Sequence, residues 1–161
     1  MSAAPASSVV VEPEPYDGET ARALLAALDA DLDERYPGEG IPPPVLDPAD
    51  FRAPRGAFLV ARQDGDPIGC GALRPGPVPG TGEVKRMYVA PRARGRRVAE
   101  RVLERLAAIA VDLGYTRLVL ETGLAQPEAL RLYERLGWEP APAFGHYRDS
   151  PLSRCYGRDL T

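Results

Sequence analysis

Cysteine and histidine are nearly missing from this chain. Two cysteines (Cys70 and Cys155) and one histidine (His146) in 161 residues provide no spacing of the kind that holds zinc, so no metal site is expected. The two thiols could pair only by meeting in space, and free thiols in a reducing cytoplasm are the expectation. Long apolar runs are missing too. Nothing approaches the roughly eighteen consecutive apolar residues of a membrane span, and the opening MSAAPASSVV has neither the basic region nor the apolar stretch of a secretory signal. Residues 1–8 read as a disordered tail, and residues 9–161 as a single domain large enough for one core. An excess of positive charge is also absent. The net charge of −3 argues against a surface built for nucleic acid, so neither a nucleic-acid partner nor a membrane is expected.

The positive charge that exists is concentrated. Lys85, Arg86, Arg92, Arg94, Arg96 and Arg97 fall in thirteen positions without an acid between them. The opposite bias appears in LDADLDERY, where Asp29, Asp31, Asp33 and Glu34 face Arg35 alone. A weakly acidic protein with one basic band points to a local anion site. The band could grip a polyanion, hold a small phosphorylated cofactor or form a solvated face.

Hydrophobic periodicity gives the element order. VVVEP is a β-branched first strand, and Leu24, Leu25, Leu28 and Leu32 mark a helix after it. Proline and glycine make a loop of 37–56, with a turn of helix at Pro48 to Phe51. AFLVARQDGDPIGCGALRP reads as a hairpin turning at Asp64–Gly65. After a second loop, 74–82, EVKRMYV is a strand and residues from about Arg96 to Leu113 a helix. YTRLVLET is a strand, QPEALRLYERLG a short helix, and WEPAPAF and SRCYGRDL begin two last strands. The order β-α-β-β-β-α-β-α-β-β requires at least one parallel pair beside antiparallel hairpins.

In APRARGRRVAERVL an arginine-rich loop with one glycine links that strand to the opening helix. The first turn of a helix offers unpaired N–H groups and the positive end of its dipole, a ready anion site. Arginines add charge-assisted, often bidentate bonds to phosphate. This geometry suits a compact diphosphate better than a duplex.

These residues resemble the GNAT superfamily of N-acyltransferases. Arg94, Gly95, Arg96, Arg97, Val98 and Ala99 follow its cofactor-loop pattern [QR]-x-x-G-x-[GA], except that Arg97 stands where the motif glycine usually does. Farther on, Ala129, Leu132, Tyr133, Gly137 and Trp138 fit the pattern N-x-x-A-x-x-L-Y-x-x-x-G-[FYW], with Gln126 in place of the asparagine that contacts the pantetheine arm. GEVKRMYVAP is similar to the family's central strand.

The resemblance implies an α/β (α+β) fold of GNAT type. It has a mixed, mostly antiparallel twisted sheet of about 6–7 strands with a splayed parallel pair, flanked by 3–4 helices. It also implies acetyl-CoA as cosubstrate, with the pyrophosphate cradled by the amides of residues 94–99. The expected activity is direct acetyl transfer to a primary amine of a small molecule or peptide. A non-catalytic acyl-CoA sensor of the same fold is the alternative. Dimers are frequent in such families, so a homodimer is open.

Acetyl transfer needs a deprotonated amine, a polarised thioester carbonyl and a proton for the leaving thiolate. Glu83 is the expected base. Tyr133, which the resemblance puts at the thioester sulfur, is the expected acid. Backbone N–H groups at Met87, Tyr88 and Val89, where the parallel strands part, would polarise the carbonyl. The side chain of Arg97 is expected to have become an extra phosphate ligand. Phe144, His146, Tyr147 and Arg148 border the family's acceptor pocket, although an ordinary loop role is preferred for them. Asp29 to Glu34 reads first as a solvated helix face. Cys155 has no base paired with it by spacing and is not expected to be a nucleophile.

Overall fold

The computed structural model describes residues 8–38 and 44–160. Residues 1–7 of the expected tail 1–8, and part of the expected loop 37–56, lie outside them. Seven strands and three helices follow in the expected order: β1 (Val9–Pro13), α1 (Glu19–Arg35), β2 (Ala57–Gln63), β3 (Asp66–Pro75), β4 (Thr81–Val89), α2 (Val98–Asp112), β5 (Arg117–Gly123), α3 (Pro127–Arg135), β6 (Glu139–Pro140) and β7 (Ser153–Asp159). A 3-10 turn at Pro48–Phe51 is capped by the Asp47 side chain, which accepts from Ala49 N. A second turn spans Pro91–Ala93.

The strands form one sheet ordered β1-β2-β3-β4-β5-β7-β6. Only β4 and β5 are parallel, and they pair over four residues, from Thr81 with Arg117 to Val84 with Leu120. Asp64 and Gly65 both have positive φ, the backbone of a primed turn that matches the twist of the β2–β3 hairpin.

Both faces of the sheet are covered. Ala57 to Ala61 of β2 are all buried, as expected of a strand with side chains in two cores. On one face Leu59, Leu73, Val84, Leu118 and Leu120 pack against Val102 and Leu106 of α2 and against Trp138. On the other, Phe58, Val60 and Ala72 pack against Phe51 and the buried stripe Ala21, Leu24, Leu25 and Leu28 of α1. The two layers cover opposite faces of the sheet, and the α2 layer spans β2 to β5.

Two local departures interrupt this layout. In β4 the register against β3 slips between Cys70–Tyr88 and Ala72–Lys85, and Arg86 takes a left-handed conformation at φ 59. An extra residue in one strand bends it and increases its twist, so β4 turns away from β5 just past their last paired residues. The second departure corrects the expected start of α2. The helix begins at Val98, and Arg97 is its N-cap in the left-handed region, with φ 60 and ψ 24. Arg97 is therefore not a first-turn helical residue with its side chain simply turned outward. The reversed φ at this position explains why a glycine suits it.

Candidate active site

Where β4 and β5 part, a cleft of about 1440 Å³ runs through the molecule. Its walls come from α1, the β4 edge, the loop into α2, β5, α3 and the segment before β7. Met87, Tyr88 and Val89 all line it. Their strand has no partner on the β5 side here, because the parallel ladder ends at Val84 and Leu120. The edge of β4 that faces the cleft is thus free of a strand partner at the residues expected to polarise a carbonyl.

At one end lies the turn into α2. Gly95 and Arg97 both have positive φ, flanking Arg96. The first helical bond is donated by Arg101 N to Arg97 O at 3.1 Å, so the N–H groups of Val98, Ala99 and Glu100 precede the helix's own acceptors. Arg94, Gly95, Arg97, Val98 and Ala99 border the cleft here. Arg94 is braced from below, its Nε donating to Val89 O at 3.1 Å.

The other two loop arginines turn away. Arg96 donates to Gln63 Oε1 at 3.1 Å, and Arg92 pairs with Asp66 at 2.8 Å. The Arg96 guanidinium is held by β2 on the far side of the turn, which leaves its backbone as the part that can belong to the expected cradle. The turn still fits a diphosphate: helix-start amides, the dipole and two arginines converge on one bordered space.

The acidic run of α1 is part of this cleft rather than a plain solvated face. Asp29 is held bidentately by Arg86 at 3.0 and 3.3 Å, and Asp31 by Arg35 at 3.0 Å. The end of α1 then reaches across to the loop after β5. Arg35 donates to Ala125 O at 3.0 Å and pairs with Glu128. The Tyr36 hydroxyl accepts from Ala125 N at 3.2 Å and donates to Gln126 Oε1 at 3.1 Å. Gln126, expected at the pantetheine arm, does line the cleft, with its carbonyl oxygen held by Tyr36.

Tyr133 projects from α3 into the same space. Its ring leans on Trp138 and Tyr156, with centroids 5.8 and 6.1 Å away. Burial pushes its phenol above the ordinary tyrosine value, which keeps the hydroxyl protonated and available as a donor.

Glu83 is placed differently from expectation. It is buried and does not border the cleft. Its Oε2 accepts from Lys85 Nζ at 3.4 Å, and Arg74 lies 3.8 Å from its Oε1. The carboxylate that reaches the cleft is Glu121 of β5. Burial raises its pKa above the ordinary carboxylate value, while the Ser153 hydroxyl and the nearby Lys85 pull it part of the way back. Ser153 Oγ donates to Glu121 Oε2 at 2.9 Å. The sequence offered one clue to Glu121: it directly follows the apolar run LVL, where the strand leaves the core. Of the segment around His146, Tyr147 faces the cleft. Both cysteines are buried, unpaired thiols, and burial pushes Cys70 up to about 12, which suits an inert core residue.

The family model described as "Acetyltransferase (GNAT) family" matches residues 24–138, a span that includes β4, the turn into α2, β5 and α3. This chain belongs to the GNAT acetyltransferase family. Among curated proteins, an IAA acetyltransferase of Azospirillum brasilense is 41% identical over 130 residues, covering 81% of this chain and 84% of the relative. A crystal structure from Klebsiella pneumoniae subsp. pneumoniae, whose name places it among the acyl-CoA N-acyltransferases, superposes with a TM-score of 0.78. It shares 32% identity and covers 95% of this chain and 98% of that one. A GNAT acetyltransferase of Elizabethkingia anophelis with acetyl-CoA bound shares the fold, with a TM-score of 0.68 at 18% identity over 94% and 98% of the chains. The protein is accordingly an N-acetyltransferase with a mixed seven-stranded sheet. Among the described residues, no helix is long and apolar enough to cross a membrane.

Proposed function

We propose that this GNAT acetyltransferase moves the acetyl group of acetyl-CoA directly onto a primary amine of a small molecule, within a ternary complex. The observation that carries the reading is a single cleft with a diphosphate cradle at one end and Tyr133 and Glu121 at its fork. Acetyl-CoA on the same fold in the Elizabethkingia anophelis enzyme supports the choice of donor. When bound, acetyl-CoA supplies the thioester that the amine attacks.

The chain's own residues supply the rest. Arg94, Arg97 and the amides of Val98 and Ala99 hold the phosphates. The freed edge at Met87 to Val89 orients the acyl chain and directs an N–H at the carbonyl oxygen. Glu121 accepts the proton that an alkylammonium must lose before it can attack, directly or through one water. Its raised pKa suits this role, since a base works best when its pKa lies near the working pH. Tyr133 gives its proton to the leaving thiolate. Glu83, the carboxylate first expected as base, acts on the cleft through Lys85.

The test is acetyl-CoA-dependent thiol release across a broad amine panel, beside calorimetry with acetyl-CoA alone. Binding together with amine-dependent thiol release supports transfer. Binding without turnover of any amine would refute it and select a sensor. Weakening of binding by orders of magnitude with modest salt would point to nucleic acid instead.

A further inference from the structure

The fork between β4 and β5 holds an opposed charge pair that the transfer chemistry alone does not require. Val84 and Leu120 are the last paired residues of the parallel ladder, so Lys85 and Glu121 are the next positions on the two strands. Val84 and Leu120 point into the α2 core. Side chains alternate along a strand, so Lys85 and Glu121 both face the α1 side, and both line the cleft. Neighbouring strands lie about 4.8 Å apart where they pair, and these two have just begun to separate. One cation and one anion thus stand side by side at the point of attack.

The charges behind them are already balanced. Arg55 pairs with Asp50 at 2.9 Å, Arg74 with Asp50 at 3.1 Å and with Glu83 at 3.8 Å. Two guanidinium groups offset two carboxylates in this ladder, which runs from the exposed Arg55 inward to the buried Glu83. The remaining pair is Lys85, which leans on Glu83, and Glu121, which is fixed by Ser153. Glu83 Oε2 takes one of the three N–H donors of the ammonium. Ser153 donates to Oε2 of Glu121, which fixes the carboxylate where it lines the cleft.

We infer that the acceptor is a zwitterionic α-amino acid, whose ammonium meets Glu121 and whose carboxylate meets Lys85. This rests on the acetyl-transfer reading above and narrows its acceptor. A simple alkylamine would leave the partly buried Lys85 without a counter-charge on the ligand. A dicationic amine would be repelled by it. An α-amino acid carries its two charges a bond or two apart, on the scale of the gap between adjacent strands. The reaction then forms one N–C bond and breaks one C–S bond; the ammonium gives one proton to Glu121 before it attacks, and the second proton it sheds on becoming an amide makes good the one that Tyr133 gives to the leaving thiolate.

The experiment measures thiol release by the full chain with acetyl-CoA and each of the twenty common L-amino acids, each beside its own C-terminal amide. The expected result is at least one amino acid with kcat/KM tenfold or more above its amide. In Lys85→Met the ratio of acid to amide should collapse towards one, through a higher KM for the acid, and Lys85→Arg should restore most of it. Turnover only of amines without a carboxylate would overturn the acceptor assignment and leave acetyl transfer standing, as would a ratio that Lys85→Met does not change. Failure of acetyl-CoA to bind by calorimetry would overturn both readings. If Lys85→Met does not fold, the wild-type ratio and its value in Lys85→Arg still decide the question.

Discussion

Replacing Arg97 by glycine should move stability and cofactor affinity in opposite directions. Arg97 sits at φ 60 and ψ 24 as the N-cap of α2. A side chain in this left-handed region costs about 1–2 kcal/mol. Glycine removes that strain but loses about 0.5–1 kcal/mol to the greater freedom of the unfolded chain. The net is a gain between about zero and 1.5 kcal/mol, a rise in Tm of at most roughly 6 °C for a domain this size.

The amides of the turn are unaffected by the substitution, so the cradle keeps its backbone donors. Only the guanidinium is lost. It is exposed and borders the cleft, which places its contact with a phosphate near the solvent-screened end of the range, about 1 kcal/mol. Affinity for acetyl-CoA should therefore fall roughly fivefold. Thermal denaturation and calorimetry on the same preparations check both halves. An unchanged Kd would return Arg97 to the solvated surface. A fall in Tm of several degrees would show that the arginine's contacts outweigh its strain, against the reasoning.

Tyr133→Phe should lower kcat by roughly 10²–10⁴ while leaving the melting curve nearly unchanged, because the ring keeps its contacts with Trp138 and Tyr156; full turnover at every pH would remove the tyrosine from the chemistry. For Glu121 the signature lies in the pH profile. Because its pKa is raised, kcat/KM of the wild type should rise with pH through an ionisation above the ordinary carboxylate range. Glu121→Gln should lose that limb, and a retained limb would assign it to another group. Gly123→Ala would put a Cβ 1.9 Å from Tyr36 Oη and 2.7 Å from its Cζ. The forced shift should cost about 1–3 kcal/mol, read as a lower denaturant midpoint, and an unchanged midpoint would show that the end of α1 does not rest on β5 in solution.

Local signals carried much of this structure. The apolar stripes of α1 and α2, the Asp64–Gly65 turn and the apolar run AFLVA of β2 are short-range patterns, and each became the element its spacing required. The anion site was legible for the same reason, since a strand, a basic turn and a helix start are consecutive in the chain. What the pattern misjudged was the backbone inside the turn: Arg97 looked like a helical residue, and only the folded loop shows its reversed φ.

The fork was not legible. Lys85 and Glu121 are 36 positions apart by number, and their meeting depends on a parallel register between strands joined by the whole of α2. A one-residue slip in that register would turn Glu121 into the core and bring its neighbour to the cleft. Glu83 was the carboxylate the spacing offered, and Glu121 was not considered, because burial and the Arg74–Glu83–Lys85 ladder have no trace in a linear spacing. The sequence by itself determined the elements, the diphosphate turn and the tyrosine, all set by nearest neighbours along the chain. Only the tertiary structure decided which carboxylate and which lysine line the cleft, because pairing of distant strands and burial act through space.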